Sequence, residues 1–134
     1  MQIANLDDLL AAARQQDEPQ RLLFVFANAT LPPDSTPAQR ATFEAGQGGQ
    51  LEPVMCVDKT ADELASFTDL KAEAAQFGAD WSLVFVAALP GQGGRAPSSA
   101  EAEPHLQRMV DALKSGAQFN AIAFDRDGDP VRLG

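Results

Sequence analysis

The chain has 134 residues, 45% of them hydrophobic, and 19 acidic against 10 basic side chains give it a formal net charge of −9. That length suits one domain built on a single core. With so acidic a balance and no segment that gathers the basic residues into a stripe, neither nucleic-acid backbones nor anionic membranes are expected partners.

A lone cysteine, Cys56, leaves no internal disulfide framework and no CxxC redox or zinc chemistry, which fits a reducing compartment. The longest apolar runs, LLFVFANA (22–29) and LVFVAALP (83–90), fall short of the roughly 20 residues that cross a bilayer. Asp7 and Asp8 interrupt the apolar pattern of the N-terminus, which has no basic start, so it does not read as a signal peptide. The expected location is the cytoplasm.

Leu6, Leu9, Leu10 and Ala13 follow the spacing of a one-sided helix, with Asn5 placed to cap it. RLLFVFA (21–27) has no alternation and predicts a central strand covered on both faces. Thr36 as cap, Pro37 at the first position and Gln39 completing a capping box predict a second helix, ended by Gly46. LEPVMCV (51–57) reads as a second strand, and residues 58–78 as the longest helix. In that helix Thr60 and Glu63 would form the capping pair, Leu64, Phe67, Leu70, Ala74 and Phe77 the buried face, and Gly78 the stop. WSLVFVAAL (81–89) predicts a third strand. A helix follows within 98–116, with Leu106, Met109, Val110 and Leu113 as its stripe and either Pro104 in its first turn or the helix beginning there. The tail predicts two short strands joined by a tight turn at Asp127-Gly128. This order predicts one α/β layered domain: a mixed sheet of four or five strands flanked by helices, closed by a C-terminal β-hairpin.

The string GQGG occurs twice, at 46–49 and at 91–94. The second copy follows a strand and precedes a helix, so Gly91, Gly93, Gly94, Arg95, Ser98 and Ser99 form a candidate site for a small anion, a phosphate or a nucleotide. It matches neither GxxxxGK[ST] nor GxGxxG, and Pro97 lacks a donor, so an exposed turn is the competing reading. The first copy follows a helix and has the local role of ending it. Only an antiparallel second strand could bring the two loops together.

Four other residues carry chemistry. Cys56, within an apolar strand, reads as a small buried hydrophobe that burial makes inert. His105, the sole histidine, sits on the margin of a helix stripe and has no second histidine for a metal pair. Asp58 and Lys59 fall at the predicted passage from strand to helix, where α/β proteins present functional groups and where a solvated first turn looks the same. DRDGDP (125–130) has its glycine at the wrong offset for a calcium loop and no glutamate after it, so a hairpin turn accounts for it better. No metal, cofactor or catalytic set is expected.

The run RLLFVFANATLP, FEAGQGG, MCVDKTADELASF, LVFVAALPGQGGRAPSS and FDRDGDPV resembles, over essentially the whole chain, a family of small proteobacterial proteins bearing the label ribonucleotide reductase subunit alpha. That resemblance implies a link to deoxynucleotide synthesis, as an accessory. The radical chemistry of the reductase uses a set of cysteines, and Cys56 alone gives no catalytic residue to carry over. The first half is also similar to the serine-sensitivity-enhancing protein family, in which a short strand, a glycine-containing loop, a second strand and a helix succeed one another; this likeness implies antiparallel first strands. The functional expectation is a non-enzymatic protein-binding or regulatory module, with a protein partner or self-association. A phosphate- or nucleotide-binding enzyme or sensor and an accessory to ribonucleotide reduction are the alternatives.

Overall fold

In a computed structural model, which describes residues 4–30, 36–44, 50–78, 80–115 and 121–131, the apolar run 21–27 lies at the heart of a sheet. Its elements in chain order are α1 (Leu6–Arg14), β1 (Gln20–Thr30), α2 (Pro37–Glu44), β2 (Gln50–Thr60), α3 (Phe67–Ala75), β3 (Leu83–Pro90), α4 (Ser99–Ser115), β4 (Ile122–Phe124) and β5 (Pro130–Val131). The five strands lie in the order β2-β1-β3-β4-β5. The expected α/β class, strand number and C-terminal hairpin are present, but every pairing is antiparallel and the sheet is not mixed. The connections explain this. Those through α2 and α4 return the chain to a neighbouring strand in the opposite sense, and the one through α3 joins two strands on either side of β1.

The unbroken hydrophobicity of β1 follows from burial on both faces, for Leu22 through Ala27 are each 2% exposed or less. Leu22, Phe24 and Phe26 meet Leu6, Leu9, Leu10 and Ala13 of α1, Phe67, Leu70 and Ala74 of α3, and Trp81. Leu23, Val25 and Ala27 meet Ala102, Met109 and Leu113 of α4. Each such large side chain contributes about 1.5–3 kcal/mol by leaving water. Trp81 sits edge-on to Phe26 with ring centroids 5.0 Å apart.

The segment after β2 departs most from expectation. β2 continues to Thr60, α3 starts only at Phe67, and the longest helix is α4 at 17 residues. Thr60 and Glu63 do form their capping contacts, at 3.0 Å from the Thr60 N–H to Glu63 Oε1, but these close a turn. Ser66 caps the helix, its Oγ accepting from the Asp69 N–H, and Asp7 of α1 accepts from the Phe67 N–H at 2.8 Å. What keeps residues 61–65 out of the helix is Arg14. Its guanidinium donates to the carbonyls of Ala61, Leu64 and Ala65, supplying from α1 the bonds an extra helical turn would have made. Leu64, Phe67, Leu70 and Ala74 are buried as expected, whereas Phe77, past the end of α3, is 65% exposed.

Ser98 and Glu101 cap α4 reciprocally, at 3.1 Å (Glu101 N–H to Ser98 Oγ) and 3.3 Å (Ser98 N–H to Glu101 Oε1). Pro104 therefore lies in the second turn, where its missing N–H leaves only the carbonyl four residues back without an intrahelical donor. The β4–β5 connection is a three-residue loop rather than a two-residue turn: the Gly128 N–H meets the Asp125 carbonyl at 3.1 Å, and the Asp125 N–H meets the Asp129 carbonyl at 2.9 Å. Gly128 takes φ +84°, the left-handed residue such a loop requires. Its carbonyl accepts the first free N–H of α1, from Leu6, at 2.9 Å. The first GQGG, with Gly46, lies outside the described residues. No helix among the described residues is long and apolar enough to cross a membrane.

Candidate functional site

At the second GQGG the chain leaves β3 and doubles back as a two-residue turn. Gln92 and Arg95 exchange both backbone hydrogen bonds, at 3.0 and 3.1 Å, around Gly93 and Gly94 at φ +60° and +78°. Positive φ at both central positions is the signature of a type I′ turn. The other donors of the loop also serve the fold: the Gly91 N–H meets the Pro19 carbonyl at 2.9 Å, and the Gly94 N–H meets Glu18 Oε2 at 2.8 Å. Beyond the loop, the start of α4 holds the carboxylate of its own Glu101. Most of the amides that a phosphate would need, those of Gly91, Gln92, Gly94, Arg95 and Ser98, are thus engaged with protein groups.

Asp58 and Lys59 lie within β2 and not at a strand-to-helix junction, and the pleat sends them to opposite faces. Lys59 pairs with Glu73 of α3 at 2.8 Å, and this contact raises its pKa. Asp58 pairs with Arg21 of β1 at 2.6 Å, with side-chain exposures of 22% and 12%, and accepts from Ser99 Oγ at 2.6 Å. Arg21 also donates to the Pro97 carbonyl and to Ser99 Oγ. Ser99 thereby becomes part of a clamp that holds the start of α4 on the β1–β2 pair. Arg21 escaped sequence reasoning, although a charge opening an apolar strand was a signal for it.

Cys56 is exposed, contrary to its reading as a buried hydrophobe, because β2 is an edge strand. Its thiol pKa is nonetheless raised, first by partial desolvation against the sheet and then by the neighbouring Asp58 carboxylate. A raised pKa keeps the sulfur protonated at neutral pH, so it is a weak nucleophile. Iodoacetamide is expected to alkylate Cys56 more slowly than free cysteine at pH 7.5, with a rate that climbs at a higher pH than for the free thiol. A rate equal to or above that of free cysteine would contradict this.

His105 and Arg95 come together where Cys56 and Asp58 do not. A groove of about 710 Å³ runs between the end of β3 and α4, lined by Leu89, Pro90, Gly91, Gln92, Gly93, Arg95, Pro97, Glu101 and His105. Arg108, one turn along α4, lies 3.3 Å from His105 Nδ1. Asp125, Asp127 and Asp129 hold carboxylate oxygens within 4.8 Å of one another. Asp125 Oδ1 accepts from the Asp127 and Asp129 N–H groups at 2.9 and 3.0 Å, so the turn itself accounts for the cluster. Comparison with protein-family models, curated proteins and solved structures gives no match, and adds nothing to either resemblance drawn from the sequence.

Proposed function

We propose that this chain is a non-enzymatic binding module that captures an extended, basic segment of a partner protein along the outer edge of β2. The observation that carries the reading is an 11-residue strand paired with β1 on one side and, among the described residues, with no strand on the other. The Ala61 N–H bonds to the Gln20 carbonyl at 3.0 Å, which fixes the alternation of the ladder. Lys59, Val57 and Met55 turn their backbone groups toward β1, and those of Asp58 and Cys56 point away from it. An incoming strand gains main-chain hydrogen bonds from those outward groups. Pro53 and the register shift opposite Phe26 and Ala27 interrupt the far end of the edge, which leaves Met55 to Thr60 as the regular stretch.

Charge selects the occupant. Two copies of a −9 chain repel each other, whereas a segment rich in lysine or arginine is attracted. Exposed Asp62 and Glu63 place two acids just past the end of the strand. The test is an array of extended peptides probed with the wild-type protein, Cys56→Ser and Cys56→Pro, each first shown to melt cooperatively. Proline at position 56 removes an outward N–H and leaves the bonds to β1 in place. Peptides alternating lysine or arginine with β-branched residues are expected to bind the wild type and Cys56→Ser, and to bind Cys56→Pro about tenfold more weakly or worse. Equal binding by Cys56→Pro, or equal preference for acidic peptides, overturns the reading. A concentration-dependent dimer lost in Cys56→Pro would assign the edge to a second copy.

A further inference from the structure

We infer that the groove between β3 and α4 binds a small organic carboxylate through the side chains of Arg95 and His105, a site separate from the β2 edge. Its volume of about 710 Å³ falls within the range of pockets that take small molecules. Arg95 belongs, with Lys71, Arg108 and Lys114, to the cations that form no ion pair among the described residues, and it lies in the groove. Arg21, Lys59 and Arg126 are paired with carboxylates, and Arg14 is spent on backbone carbonyls. Arg95 is exposed, lines the groove and pairs with no carboxylate among the described residues.

The opposite wall supplies a second donor. Arg108 can only donate to His105 Nδ1, so the neutral imidazole carries its proton on Nε2. The guanidinium behind the ring adds positive charge to that wall. Arg95 and His105 thus offer a planar fork and a single N–H, a set suited to the two oxygens of a carboxylate.

Two features set the class of ligand. Four of the five amides from Gly91 to Arg95, all but that of Gly93, are engaged by Pro19, Arg95, Glu18 and Gln92. Glu101 lines the same groove, and its charge opposes a polyanion such as a nucleoside triphosphate while tolerating a monoanion. Leu89, Pro90 and Pro97 provide an apolar wall for a hydrocarbon body. The geometry therefore fits one carboxylate attached to a short aliphatic or aromatic group.

Hexanoate and benzoate, with inorganic phosphate and ATP beside them, are the probes, titrated into the full chain and followed by amide resonances. Saturable shifts are expected for the carboxylates within 91–97 and 101–105, with weaker or no response to phosphate and ATP. Arg95→Ala, a surface substitution that should leave the melting temperature of the free protein unchanged, is expected to weaken hexanoate binding about tenfold or more. His105→Phe keeps the ring shape, removes the donor and should weaken it several-fold. No saturable carboxylate binding, tighter binding of ATP than of hexanoate, or an unchanged affinity in Arg95→Ala would each overturn the inference.

Discussion

Gly91→Ala is expected to cost about 3–5 kcal/mol, enough to unfold much of the population in a domain of ordinary stability. A Cβ at this position would lie 2.2 Å from the Arg95 carbonyl oxygen and 2.6 Å from that of Pro19. Both obstacles are backbone, and neither can retreat cheaply. Arg95 is locked to Gln92 by the two hydrogen bonds of the turn, and Pro19 is bound to the Gly91 N–H at the mouth of β1. Making room means giving up those bonds and separating β3 from the start of the central strand. Gly93→Ala is the control. Gly93 has φ +60° and nothing within 4 Å of its would-be Cβ, so alanine there bears only the left-handed penalty, about 1–2 kcal/mol. Urea unfolding followed by far-UV circular dichroism should separate the two by more than about 1 kcal/mol. Equal losses would mean that the glycines matter for backbone conformation alone and that the close approach at Gly91 carries no weight.

The same loop shows where sequence reading succeeded and where it ran out. That GQGG marks a turn between a strand and a helix was legible, because an apolar strand, clustered glycines and a helical stripe are local signals. What its amides bind was not, since Glu18 and Pro19 come from the segment just before β1, far away in sequence. The helical stripe Leu6, Leu9, Leu10 and Ala13 and the doubly buried β1 were equally legible, burial being written into residue type along a few turns. The start of α3 was misread because Thr60 and Glu63 have a helix-starting pattern and nothing nearby indicates that Arg14 will take the carbonyls of Ala61, Leu64 and Ala65. Cys56 illustrates a different limit. PVMCV is as apolar as a central strand, and only the strand order, which places β2 at the edge, exposes the thiol. Arg95 and His105 were singled out for separate reasons. Their sharing of a groove depends on α4 turning back beside β3, a tertiary fact with no local trace.

Arg21→Met should cost about 2–3 kcal/mol, and its effect should be concentrated at the start of α4. The guanidinium bridges three parts of the chain: it leaves β1, pairs with Asp58 on β2, and reaches Ser99 and the Pro97 carbonyl before α4. Methionine retains most of the aliphatic stem, so the loss isolates the charge. Asp58 would then keep only the Ser99 hydroxyl as a partner while remaining 22% exposed, a poorly compensated carboxylate. Adding Asp58→Asn removes the stranded charge, so the double variant should lose about 1 kcal/mol less than the sum of the two single losses, a coupling measurable by a double-mutant cycle. Asp58→Asn has a second consequence. The carboxylate contributes to the raised pKa of Cys56, so its removal should lower that pKa and speed alkylation of the thiol at neutral pH. Amide exchange locates the damage: the protected amides from Ala102 onward in α4 should exchange faster in Arg21→Met, while those of α1, held by Asp7, Arg14 and the Gly128 carbonyl, keep their protection. Uniform acceleration across both helices, together with strict additivity in the cycle, would show that Arg21 stabilises the chain only as a surface charge and that the clamp has no separate existence.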